Sequence, residues 1–71
     1  MKKPDGAPRL TARERDVLRF IARGCTYAQA AARLGISPHT VASHIKKAYR
    51  KLGVHSVGAA VMRAVELGLI D

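Results

Sequence analysis

The sequence predicts an all-α domain of four helices. Three observations carry that reading. Four Ser or Thr residues each head an apolar repeat of helical spacing, a glycine closes each repeat, and no stretch alternates apolar with polar residues as a strand would.

The first helix is expected over 12–23. Thr11-Ala12-Arg13-Glu14 has the capping-box pattern, in which a Thr hydroxyl and a Glu carboxylate each satisfy the other's backbone N–H. Val17, Leu18 and Ile21 form its apolar face, and Gly24 follows its end. Thr26-Tyr27-Ala28-Gln29 repeats the pattern and opens a short second helix that runs to Leu34. Its alanines, Ala28, Ala30, Ala31 and Ala32, allow a neighbouring helix to come close. Gly35-Ile36-Ser37 then turns the chain directly into the third helix, with Ile36 expected to plug the core beneath the turn. A short glycine-bearing turn between two helices is the helix-turn-helix signature.

The third helix is expected over 38–52. Ser37 caps it, Pro38 suits its first position, and Gly53 supplies a left-handed stop. Val41, Ile45, Ala48 and Leu52 form a seam that must face the core. On the other side Ala42, Lys46, His39, Arg50, Ser43 and Lys47 share one outward arc of about 140°. After Val54 and His55, Ser56 caps a fourth helix expected over 57–67, ahead of Gly68. Its apolar residues cover about 160°, more than a stripe that packs on the core alone. Ala60, Ala64 and Leu67 are expected to face inward, leaving Val57, Val61 and Val65 as an edge for another surface.

Composition narrows the function. Seventy-one residues make one small domain, with little room to enclose a substrate pocket. Residues 1–9, with two prolines, a glycine and no periodicity, are expected to be a flexible leader or the end of a linker, and 10–71 the folded domain. Thirteen Lys and Arg against five Asp and Glu give a net charge of +8, and no acidic residue lies between Asp16 and Glu66. A polyanionic partner fits that bare cationic stretch. The aromatic residues, two Tyr and one Phe, are too few for stacking single-stranded bases, so duplex DNA is the better polyanion.

No chemistry of another kind competes. There is no phosphate-cradling glycine loop, no carboxylate pair flanking a cleft, and no nucleophile with a base and an orienting partner. The expectation is a non-enzyme without cofactor. His39, His44 and His55 are spaced too irregularly to share a face, and no carboxylate lies near them in sequence, so no metal is expected. Cys25, the single cysteine, can form no internal disulfide and is expected to be a small buried residue at a helix corner. With no membrane-spanning run and no apolar signal core, a soluble, cytoplasmic protein is expected.

In helix-turn-helix docking the N-terminal residues of the second motif helix lie nearest the base edges. His39, Ala42, Ser43 and Lys46 are therefore the candidate base readers, with Lys46 able to donate to guanine O6 or N7. Lys47, Arg50 and Lys51 are candidates for phosphate contact. Thr26 and Ser37 head helices whose free N–H groups can also clamp phosphate, although capping alone explains both residues. Thr40 is either a phosphate donor or a locally satisfied first-turn residue. His44, on the flank of the arc, suits a phosphate or an inter-helix hydrogen bond better than a base.

From Leu10 to about Ile70 the chain resembles the LuxR-type, or GerE-type, DNA-binding domain of bacterial transcription regulators. The resemblance rests on LTARERDVLRFIARG, TYAQAAARLGIS, HTVASHIKKAYRKLGV and HSVGAAVMRAVELGLI, in that order. TYAQ, SPHTVASH and YRKLGVHS look most like members that follow a phosphorylated receiver domain. The resemblance implies operator binding as a homodimer on a roughly palindromic site, with the third helix in the major groove and the fourth making the dimer contact. RNA polymerase and an upstream receiver domain are further implied partners. This chain departs from the pattern at four places. Ala42 stands where many members have Lys, which leaves at most an apolar contact to a thymine methyl. Gln29 stands for a common Glu, Ala30 for a common Ile, and Val57 for a common Arg. Region 4 of a bacterial sigma factor shares the motif style but usually ends with its recognition helix. A helical module that binds an acidic protein is the reading without DNA.

Overall fold

Each helix begins where a side chain satisfies its own free amides. In the computed structural model, which describes residues 9–71, the helices are α1 (Ala12–Ala22), α2 (Tyr27–Leu34), α3 (Pro38–Leu52) and α4 (Val57–Glu66). The Thr11 hydroxyl accepts from the Glu14 N–H at 3.1 Å while the Glu14 carboxylate accepts from the Thr11 N–H at 2.9 Å. Thr26 and Gln29 make the same reciprocal pair at 3.0 and 2.8 Å. Ser37 and Ser56 cap α3 and α4 by accepting from Thr40 and Ala59. The leader expected over 1–9 lies outside the described residues except for Arg9, which is exposed.

The ends also follow from backbone chemistry. Gly35 and Gly53 both adopt φ 69°, the left-handed conformation that side-chain-bearing residues avoid, and so stop α2 and α3. α1 and α4 each end one residue earlier than their spacing predicts. Arg23 and Leu67 serve as caps there, and Gly24 and Gly68 donate to the carbonyls of Ile21 and Val65 in a tightened last turn.

α3 packs against each of the other helices, and so does α1, whereas α2 and α4 do not pack on each other. The seam of α3, Val41, Ile45, Ala48 and Leu52, is buried and meets Val17 and Leu18 of α1, Ala30 and Ala31 of α2, and Ala60 and Ala64 of α4 in one core. Leu10 and Ile70, which flank the four helices in sequence, complete that core. Ile36 is half-buried and packs beneath the turn, as its position suggested. Leu67 does not face inward as expected. It caps α4 and is 38% exposed, because it lies at the end of the helix, past Ala64, the last α4 residue that the core buries. Cys25 is half-buried, less enclosed than expected, in the connection between α1 and α2. No described helix is long and apolar enough to cross a membrane.

Candidate nucleic-acid interface

Burying the seam of α3 fixes what its opposite side presents. His39, Lys46, Lys47 and Arg50 are exposed, with Ala42 and Ser43 half-buried among them. The arc read from sequence is therefore one continuous surface held against a packed core. Among the described residues Lys46, Lys47 and Arg50 form no ion pair, so the positive charge of the arc is uncompensated.

The capping residues have defined local partners. The Thr26 and Ser37 hydroxyls accept from their own helices. The Thr40 hydroxyl lies 2.9 Å from that of Ser37, so it is satisfied within the first turn of α3. His44 is half-buried, and its Nδ1 is fully enclosed with no hydrogen-bond partner among the described residues. Only the Nε2 edge of its ring can then serve a ligand.

Lys51 has a role that its position in a cationic run did not announce. Its Nζ donates to Glu14 Oε1 at 2.8 Å, joining the last turn of α3 to the first turn of α1. Glu14 is only 2% exposed and is the one buried charged residue among those described. Burial raises the pKa of its carboxyl, but the hydrogen bond and charge of Lys51, with the Thr11 donors, outweigh burial and hold it below the ordinary carboxylate value. The capping box was legible in the sequence. The long-range partner was not, because it depends on how α1 crosses α3.

At its C-terminal end the arc runs into an open concavity of about 510 Å³, lined by Lys46, Tyr49, Arg50, Gly53, Val54 and His55. Tyr49 and His55 were absent from the sequence-based candidates. Helical geometry does place Tyr49 and Gly53 beside Lys46, but the position of His55 depends on the α3–α4 turn. No group of three or more His, Cys, Asp or Glu stands close enough together to hold a metal ion among the described residues.

The valine edge of α4 is divided. Val57 and Val61 are half-buried and pack against the core, whereas Val65 is 49% exposed. The apolar surface that remains open is Val65 with Met62, which is 67% exposed, and Leu67. Met62 lies outside the apolar stripe that helical spacing picks out, about 60° beyond Val65 at 100° per residue, so the pattern did not mark it.

Residues 8–64 match a protein family described as bacterial regulatory proteins, luxR family. The chain is 46% identical over 65 residues to the probable transcriptional regulatory protein NarL of Mycobacterium tuberculosis, a match that covers 92% of this chain and 30% of that protein. The solved structure of the transcription factor GerE superposes with a TM-score of 0.84 at 32% identity, covering 87% of this chain and 92% of that one. The response regulator ChrA of a heme-sensing two-component system also superposes at 0.84, with 40% identity over 96% of this chain and 33% of its own. The chain thus spans about a third or less of the NarL and ChrA proteins it matches.

Proposed function

The chain belongs to the luxR family of bacterial regulatory proteins and is built as its helix-turn-helix domain, and from that premise we propose that it binds double-stranded DNA sequence-specifically to regulate transcription. The observation that carries the proposal is the uncompensated cationic arc of α3, which lies opposite a buried seam on a helix held by three neighbours. Such a helix enters a major groove without giving up its own core. His39, Ala42, Ser43 and Lys46 meet base edges, and Lys47 and Arg50 grip phosphates. Lys51 contributes charge near the backbone while remaining tied to Glu14. Thr26, Ser37, Thr40 and the Nε2 edge of His44 supply positioning contacts at helix starts and flank.

Two copies bind a roughly palindromic operator, meeting through α4 at Val65 with support from Val57 and Val61. So small an apolar edge gives a weak dimer by itself. In this reading 10–71 is the DNA-binding domain and 1–9 joins it to an upstream receiver domain, an arrangement favoured by the likeness to part of a response regulator. RNA polymerase in the bacterial cytoplasm is then a further partner.

Fluorescence anisotropy with random and selected duplexes over a salt series tests the core of this reading. Binding should weaken with a log–log slope of about 0.9 per phosphate contacted. Lys46→Ala should lose about 1–3 kcal/mol and relax preference at one base pair, whereas Lys47→Ala should weaken all sequences alike. No binding to any duplex at low salt would overturn the proposal. Equal, sequence-blind losses from both variants would remove Lys46 from the base-reading set.

A further inference from the structure

We propose that the concavity at the α3–α4 turn seats one backbone phosphate of the bound duplex, with Arg50, Tyr49 and His55 as its donors. This rests on the DNA-binding reading and adds two residues that the arc of α3 does not include. The lining offers a guanidinium, a phenol, an imidazole and the ammonium of Lys46, and no carboxylate among the described residues. These groups are the donors that a phosphodiester oxygen accepts from. Gly53 adds no side chain to the lining.

Tyr49 is equipped to donate. Burial first, and then the charge and hydrogen bond of the neighbouring Tyr27, raise its pKa above the ordinary phenol value, so it keeps its proton at neutral pH and must turn it from Tyr27 to reach a phosphate.

Shape decides between a free anion and a polymer. Small-molecule sites enclose most of their ligand, whereas this concavity is open to solvent and walled by exposed Lys46, Arg50 and His55. It suits a phosphate presented by a body that is already held elsewhere. The arc of α3 supplies that hold, because Lys46 and Arg50 belong both to the arc and to the lining. Distance along the helix agrees. From Ala42 to Arg50 α3 advances roughly 12 Å at 1.5 Å per residue, about the width of the major groove. With Ala42 and Ser43 at base edges, the level of Arg50 and His55 reaches the phosphate wall.

The test uses the intact chain and a 20-base-pair duplex of its best selected sequence, with one phosphate at a time replaced by an uncharged methylphosphonate. In the wild type, neutralising the seated linkage should lower affinity by about ten- to a hundredfold, the worth of one hydrogen bond to a charged group. In the Tyr49→Phe/His55→Ala variant, which keeps Arg50 and Lys46 in the lining, that linkage should have a clearly smaller effect while the other sensitive linkages keep theirs. An unchanged methylphosphonate profile in the variant would overturn the phosphate seat and leave the DNA-binding reading standing. A wild type that bound no duplex would overturn both. If inorganic phosphate shifted the Gly53, Val54 and His55 amide resonances while no linkage coupled to the variant, the concavity would be a site for free anions and the proposal would fail.

Discussion

Glu14 joins three jobs in one carboxylate. It closes the capping box of α1, occupies a buried position in a strongly basic protein, and neutralises Lys51 at the end of α3. Removing the lysine leaves a buried charge with only the Thr11 donors, so Lys51→Met should destabilise the fold by about 1–3 kcal/mol. The pH response has a definite sign. Because the folded carboxyl titrates below the ordinary carboxylate value of the unfolded chain, the stability it contributes is fully present above that ordinary value and is lost as pH falls through the lower folded value. Urea denaturation between pH 7 and pH 2.5 should show this loss in the wild type. Glu14→Gln should be less stable at neutral pH and show a shallower decline below pH 4.5. Equal slopes for the two proteins would show that the pH dependence resides elsewhere. The sequence disclosed the local half of this arrangement, Thr11 with Glu14 three residues on. Lys51 lies 37 residues further along the chain, and nothing local marks it as the partner.

At the scale of elements, the helix boundaries are set by hydroxyl caps and left-handed glycines, and both are written in single residues. For this reason the spans of α2 and α3 were legible to the residue, while α1 and α4, which end on tightened turns, came out one residue shorter than predicted. α3 also shows what a cap contributes to function. The Ser37 hydroxyl satisfies the Thr40 N–H and holds the Thr40 hydroxyl in place beside His39. Ser37→Ala should lower stability by about 1 kcal/mol, measurable by thermal unfolding monitored at 222 nm. If a phosphate also sits on this helix start, the same variant should weaken binding to all duplexes alike. The cationic arc of α3 was legible because helical periodicity alone separates it from the seam. The contact surface of α4 was less so, since a wide apolar stripe does not reveal which edge the core claims.

For the whole molecule, the core claims Val57 and Val61 in part and leaves Val65, Met62 and Leu67 outside. Val65→Glu should therefore keep the helical circular dichroism spectrum and abolish cooperative binding to a probe with two half-sites. Retained cooperativity would move the dimer contact away from α4. Val61→Glu serves less well, because a half-buried position confounds association with folding. Charge is distributed at this scale with equal consequence. Lys46, Lys47 and Arg50 have no ion-pair partners among the described residues, whereas Lys51 is already bound to Glu14. Long unpaired side chains rotate freely in solution, and immobilising each one costs up to about 2 kcal/mol of conformational entropy. A duplex gripped by the three free cations must supply that ordering when it binds. Lys51 enters the encounter already ordered, its entropy surrendered when the protein folded.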